Sequence, residues 1–116
     1  INKMGRYYNG DIQGKFMFAV QSSYSADRFG SLGYTPDVIH YHFDEEHLPK
    51  INAELKKLKD AYDKVAKLYA DDKIVSVYDE PRITHQDLID YADYNLGNQI
   101  KQCVEDNGYC FFESEL

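Results

Sequence analysis

Asp44–Ala70, DEEHLPKINAELKKLKDAYDKVAKLYA, is the stretch whose reading decides the fold. Leu48, Ile51, Leu55, Leu58, Tyr62, Val65 and Tyr69 recur at alternating spacings of three and four, which lines one face of an α-helix with apolar groups. Lys50, Glu54, Lys56, Lys57, Lys59, Asp60, Asp63 and Lys67 fall between them and are expected to keep the other face in water. Asp44 suits the N-cap, Glu45 and Glu46 suit the positive end of the helix dipole, and Pro49 is tolerated that early. At ~1.5 Å rise per residue such a helix runs roughly 35–40 Å, about the width of a domain this size. The rest of the chain must pack against it.

The chain has 116 residues, 43% of them hydrophobic and 15% aromatic, which predicts one globular domain over 1–116 with a core of its own. Met4-Gly5 reads as a natural initiation site, and on that reading Ile1-Asn2-Lys3 is expected to be a foreign lead. A formal charge of −7 repels polyanions at long range and argues against nucleic acid as a partner. No apolar run approaches the length of a membrane span and no signal-peptide pattern precedes the fold, so a cytoplasmic location is expected. Cys103 and Cys110 are too few to staple a domain. They read as buried thiols of a reducing compartment, with a bridge between them as the alternative.

Working outward from the helix, Val38–Phe43 alternates as a strand, with Ile39, Tyr41 and Phe43 opposite Val38, His40 and His42. Upstream, Arg6–Gly14 reads as a turn-rich lead-in and Lys15–Gln21 as a strand apolar on both faces. Ser22, Ser23 and Ser25 suit the cap of a short helix ending at Gly30. Downstream, Ile74–Tyr78 reads as a third strand, and Thr84 with Asp87 opens a second helix whose inner face is Leu88, Tyr91, Leu96, Ile100, Cys103 and Val104. Asn107-Gly108 stops that helix, and Tyr109–Glu113 is the last strand, with Phe111 and Phe112 on opposite faces. The expected fold is α+β: a small two-layer sandwich of about four strands with two main helices on one face and one short helix.

Chemistry is sparsely marked. His40-x-His42 puts two imidazoles on one strand face, with His47 and Asp44 just beyond, and this is the one weak metal-ligand pattern. The acidic groups Asp44-Glu45-Glu46, Asp71-Asp72, Asp79-Glu80 and Asp87/Asp90/Asp93 lack the spacing of a calcium loop and read as solvated faces and helix-start charges. Cys103 and Cys110 fall at apolar-periodic or strand positions, where thiols are usually inert. No nucleophile elbow, phosphate loop or cofactor motif occurs, so no cofactor is expected. Eleven tyrosines are the unusual feature. Tyr7, Tyr8, Tyr24 and Tyr34 lie at turns or in loops, where folding alone does not demand them, and with Asp11 they are the expected protein-binding residues.

Met4–Phe16 (MGRYYNGDIQGKF), Phe18–Ser23 (FAVQSS), Leu96–Lys101 (LGNQIK) and Phe111–Leu116 (FFESEL) together resemble small uncharacterised proteins of large DNA viruses and phages. The resemblance implies a viral or phage origin and action inside a host cell. It brings no activity and no functional residue. The expected function is therefore a non-catalytic interaction module that binds a host protein through an acidic, tyrosine-bearing surface. The alternative is a small metal-dependent enzyme or ligand-sequestering protein using His40, His42 and Asp44. The strict three–four alternation over 44–70 also suits a two-helix seam, filled either by a second copy in a homodimer or by the stripe from Leu88 to Val104 of the same chain.

Overall fold

Thr84 and Asp87 show how locally this chain sets its element boundaries. The Thr84 hydroxyl accepts from the Asp87 N–H and the Asp87 carboxylate accepts from the Thr84 N–H, each at 3.0 Å, closing a reciprocal cap. A computed structural model describes residues 7–16, 21–31, 39–71 and 80–115. In chain order these hold β1 (Tyr7–Gly10), β2 (Gly14–Lys15), a 3-10 turn at Ser25–Phe29, β3 (Ile39–Asp44), a 3-10 turn at Glu45–His47, α1 (Leu48–Asp71), α2 (His85–Asn107) and β4 (Tyr109–Ser114). Asp44 caps the central run as its position predicts. Its carboxylate accepts from the Glu46 N–H, while its own N–H donates to His47 Nδ1, each at 3.0 Å. Gly108, at φ 85°, ends α2 by returning its N–H to the Val104 carbonyl at 2.7 Å.

The sheet is antiparallel throughout, in the order β2-β1-β4-β3. β4 therefore sits centrally, with Tyr41 opposite Phe112 on one side and Gly10 opposite Phe112 on the other. Period-two alternation sends Ile39, Tyr41, Phe43, Cys110, Phe112, Ser114 and Tyr8 into the interior. On that face they meet Ile51, Leu55 and Leu58 of α1 and Leu96, Ile100 and Val104 of α2 in one core. A smaller cluster of Val65, Ile83 and Leu88 closes the far end of the helix pair. Gly97 permits the close approach: a Cβ there would lie 2.5 Å from the Phe29 ring and 2.8 Å from Leu55 Cδ2.

The α+β class is as expected, and the strands differ. Three strands of four to six residues carry the sheet, and β2 adds two residues at its edge. Tyr7–Gly10, expected as a turn-rich lead-in, is a strand because it pairs with β4 across roughly a hundred residues of sequence. Of the strand expected at 15–21, only Lys15 is seen in a strand, and 17–20 lie outside the described residues. The strand expected at 74–78 lies outside them entirely, as do Val38 and Tyr34. None of Ser22, Ser23 and Ser25 is the N-cap expected of them: Tyr24 holds that position without a side-chain cap, and the Ser22 hydroxyl accepts from the Tyr24 N–H at 3.0 Å just before the turn.

The seam of α1 has an occupant within the chain. Ile51, Leu55, Leu58 and Val65 are buried, and the Tyr62 ring stacks on Tyr91 at 5.0 Å and lies 4.3 Å from Tyr94 of α2. α2 of the same chain therefore lies along this part of the seam. Tyr69, at the end of the stripe, stays 39% exposed. Among the described residues no helix is long and apolar enough to cross a membrane.

Candidate functional site

Arg28 stands at the centre of the most heavily charged interior region. Its Nη1 donates to Asp93 at 2.8 Å and lies 3.5 Å from Asp90, and its Nε donates to Glu54 at 3.3 Å. The other Asp93 oxygen accepts from Gln21 Nε2 at 2.7 Å. Lys50 and Lys57 both donate to the second Glu54 oxygen. Burial pushes the Glu54 carboxyl up, but hydrogen bonds from Lys57, Lys50 and Arg28 outweigh it and hold the group below its ordinary range. Burial likewise works against the Arg28 charge, and Asp93 and its neighbours more than restore it.

Every carboxylate oxygen of Asp93 and Glu54 is thus engaged by a side chain of this cluster. That is the chemistry of a clamp joining the 3-10 turn to both helices. Sequence reasoning placed Glu54 in water and Asp93 on a solvated face, and both are buried. The signal was present for Asp93: positions 93, 97, 100 and 104 continue the inward rhythm of α2, and a polar residue on that rhythm calls for a partner.

The residues expected to bind partners are dispersed. Tyr8 is a core residue, 7% exposed, its ring stacked on Phe16 at 4.2 Å and edge-on to Phe112 at 5.8 Å. Strand alternation puts Tyr7 on the other face, half-buried. Tyr24 is exposed at the short turn. Asp11 is exposed just past β1, where its carboxylate accepts from the Phe111 N–H at 2.9 Å. His40 and His42 do share one face, as the spacing predicts, with Phe111 between them at 6.3 and 6.5 Å. His47 does not join them. Its ring packs edge-on against Phe43, a residue of the interior face, and its Nδ1 is taken by the helix cap.

What the structure assembles instead is the outer face of the sheet. Phe111 and Tyr109 of the central strand are 46% and 52% exposed there. Cross-strand register sets His42 beside Phe111, His40 beside Glu113 and Asp44 beside Tyr109. His40 Nδ1 and a Glu113 oxygen lie 3.5 Å apart. β1, β3 and β4 contain no lysine or arginine, whereas the lysines of α1 lie on the far layer. The face is aromatic, imidazole-bearing and acidic. Sequence reading gave Phe111 only an orientation, because a strand's register partners are set by remote pairing.

No protein-family model, curated protein or solved structure matches the chain.

Proposed function

We propose that this chain is a non-catalytic interaction module, and that the open face of its sheet, centred on Phe111 and Tyr109, is the docking surface. One observation carries the reading: two large aromatic side chains stand about half exposed on the central strand, where folding needs none. An antiparallel sheet with one solvated face ordinarily shows polar residues there. Phe and Tyr in that position bury large area on binding at low entropic cost. Glu113 on the central strand and Asp44 and Asp11 near it, with no lysine or arginine in β1 or β3, favour a basic, aromatic- or aliphatic-bearing partner. On the resemblance of Met4–Phe16, that partner is a host protein of a virus or phage, and the module acts as its modulator.

The test is selection of binders from a displayed random-peptide library against the intact chain, followed by affinity measurement on variants. The selected peptides are expected to be rich in Lys or Arg flanking an apolar residue. Phe111→Ser and Tyr109→Ser are each expected to weaken binding at least about tenfold, with folding intact. Peptides whose affinity ignores both substitutions would remove the surface from consideration.

A further inference from the structure

Asp11, Cys103 and Cys110 come from three separate parts of the chain: the turn after β1, the last turns of α2, and β4. Their ligating atoms, one carboxylate oxygen and two sulfurs, all lie within 4.8 Å of one another. The cysteines are unbridged. Tetrahedral zinc holds thiolate sulfur at about 2.3 Å and carboxylate oxygen at about 2.1 Å, which sets neighbouring donors roughly 3.5–3.8 Å apart.

The surroundings fit such a centre. One Asp11 oxygen is anchored by the Phe111 N–H at 2.9 Å, and the Asp11 N–H donates to the Phe111 carbonyl at 2.8 Å, which fixes the carboxylate and leaves its other oxygen to ligate. Asn107 Nδ2 points at Cys103 Sγ from 3.6 Å, a donor that supports negative charge on that sulfur. Cys110 is fully buried and forms the floor, Cys103 is half-buried, and Asp11 is exposed, so the trio opens to one side. Asp11 and Cys103 there line a cleft of about 440 Å³ shared with Gln99, Gln102, Asp106 and Asn107. A fourth coordination position thus faces solvent and polar side chains.

We infer that Asp11, Cys103 and Cys110 form a binding site for a thiophilic divalent cation of the zinc type, with the fourth position open to the cleft. Two sulfurs and one carboxylate select zinc over calcium or magnesium, which take oxygen donors only. Binding releases the two thiol protons to solvent, breaks the 3.5 Å contact from Cys103 Sγ to the Tyr109 carbonyl, and involves no redox change. It pins the turn after β1 to the end of α2, beside Phe111. The site shares Asp11 with the acidic margin of the docking surface, but its test reads metal binding alone and so stands or falls separately.

The test is titration of the reduced, full-length chain with Co²⁺ in the absence of oxygen, followed by displacement with Zn²⁺. One equivalent of Co²⁺ is expected to give tetrahedral d–d bands with thiolate-to-cobalt charge transfer, both bleached by Zn²⁺. Cys103→Ser, a partly exposed substitution, is expected to abolish the charge-transfer band, and Asp11→Asn to weaken binding at least about tenfold while keeping the sulfur signature. Zn²⁺ is also expected to raise the melting temperature of the wild type and not that of Cys103→Ser. A reduced chain without a charge-transfer band, or a band that survives Cys103→Ser, overturns the inference.

Discussion

Arg28 lies among three carboxylates, two of them on side chains that solvent barely reaches. Arg28→Ala strands Asp93 beside Gln21 alone and leaves Glu54 to its two lysines. Removing one partner of a buried ion pair costs far more than the pair contributes, and a loss of roughly 3 kcal/mol is expected in urea unfolding at neutral pH. The same cluster gives a pH signature. Glu54 is held below its ordinary value near 4.5, so its contribution is full above that pH and fades as pH falls through the folded-state value. The stability difference between wild type and Glu54→Gln is therefore expected to be large at pH 7 and to shrink by pH 3. An equal difference at both would mean that the Glu54 charge does not carry the effect. The rhythm of α2 marks Asp93 as inward, but its partner and the role of Glu54 could not be read from the helices, because Arg28 lies far away in sequence and only the folded chain brings it near.

At the scale of elements, the helices were legible and the sheet was legible by halves. Asp44, Thr84 and Asn107-Gly108 mark their boundaries by chemistry within a few residues, and the structure puts caps where those residues stand. Thr84→Ala is accordingly expected to lower stability by about 1 kcal/mol, read as a shift in unfolding midpoint. β3 and β4 were legible because each alternates on its own. β1 was not, because Tyr7-Tyr8-Asn9-Gly10 becomes a strand only against Phe112–Ser114. Gly10 fits that pairing: a Cβ would meet the Phe111 carbonyl oxygen and Phe112 Cα at 2.8 Å, and φ is +124°. Gly97, deep inside α2, reads as a defect in a helix and is a contact in the fold. Gly97→Ala gains helix propensity of up to about 1 kcal/mol and forces methyl against Phe29 and Leu55. Overpacking of roughly 1–3 kcal/mol is expected to win, lowering the melting temperature. A more stable Gly97→Ala protein would show that the Phe29 ring has room to move.

Viewed whole, the molecule separates its chemistry by layer. Helices supply the interior face and most of the lysines, while the strands present aromatic rings, imidazoles and carboxylates outward. Adjacent residues of β4 expose the division most sharply. Phe112 is fully buried among Tyr8, Tyr41 and Phe43, and Phe112→Ala is expected to cost roughly 3–5 kcal/mol. Phe111, one residue earlier, faces outward, and Phe111→Ser is expected to stay within about 0.5 kcal/mol of wild type. The most direct measurement is amide chemical-shift mapping of the chain with a selected basic peptide bound. Perturbations concentrated on Tyr7–Asp11, Ile39–Asp44 and Tyr109–Glu113, and lost in Phe111→Ser, are the predicted result. Perturbations confined to the solvent side of α1 and α2, or unchanged by that substitution, would contradict it.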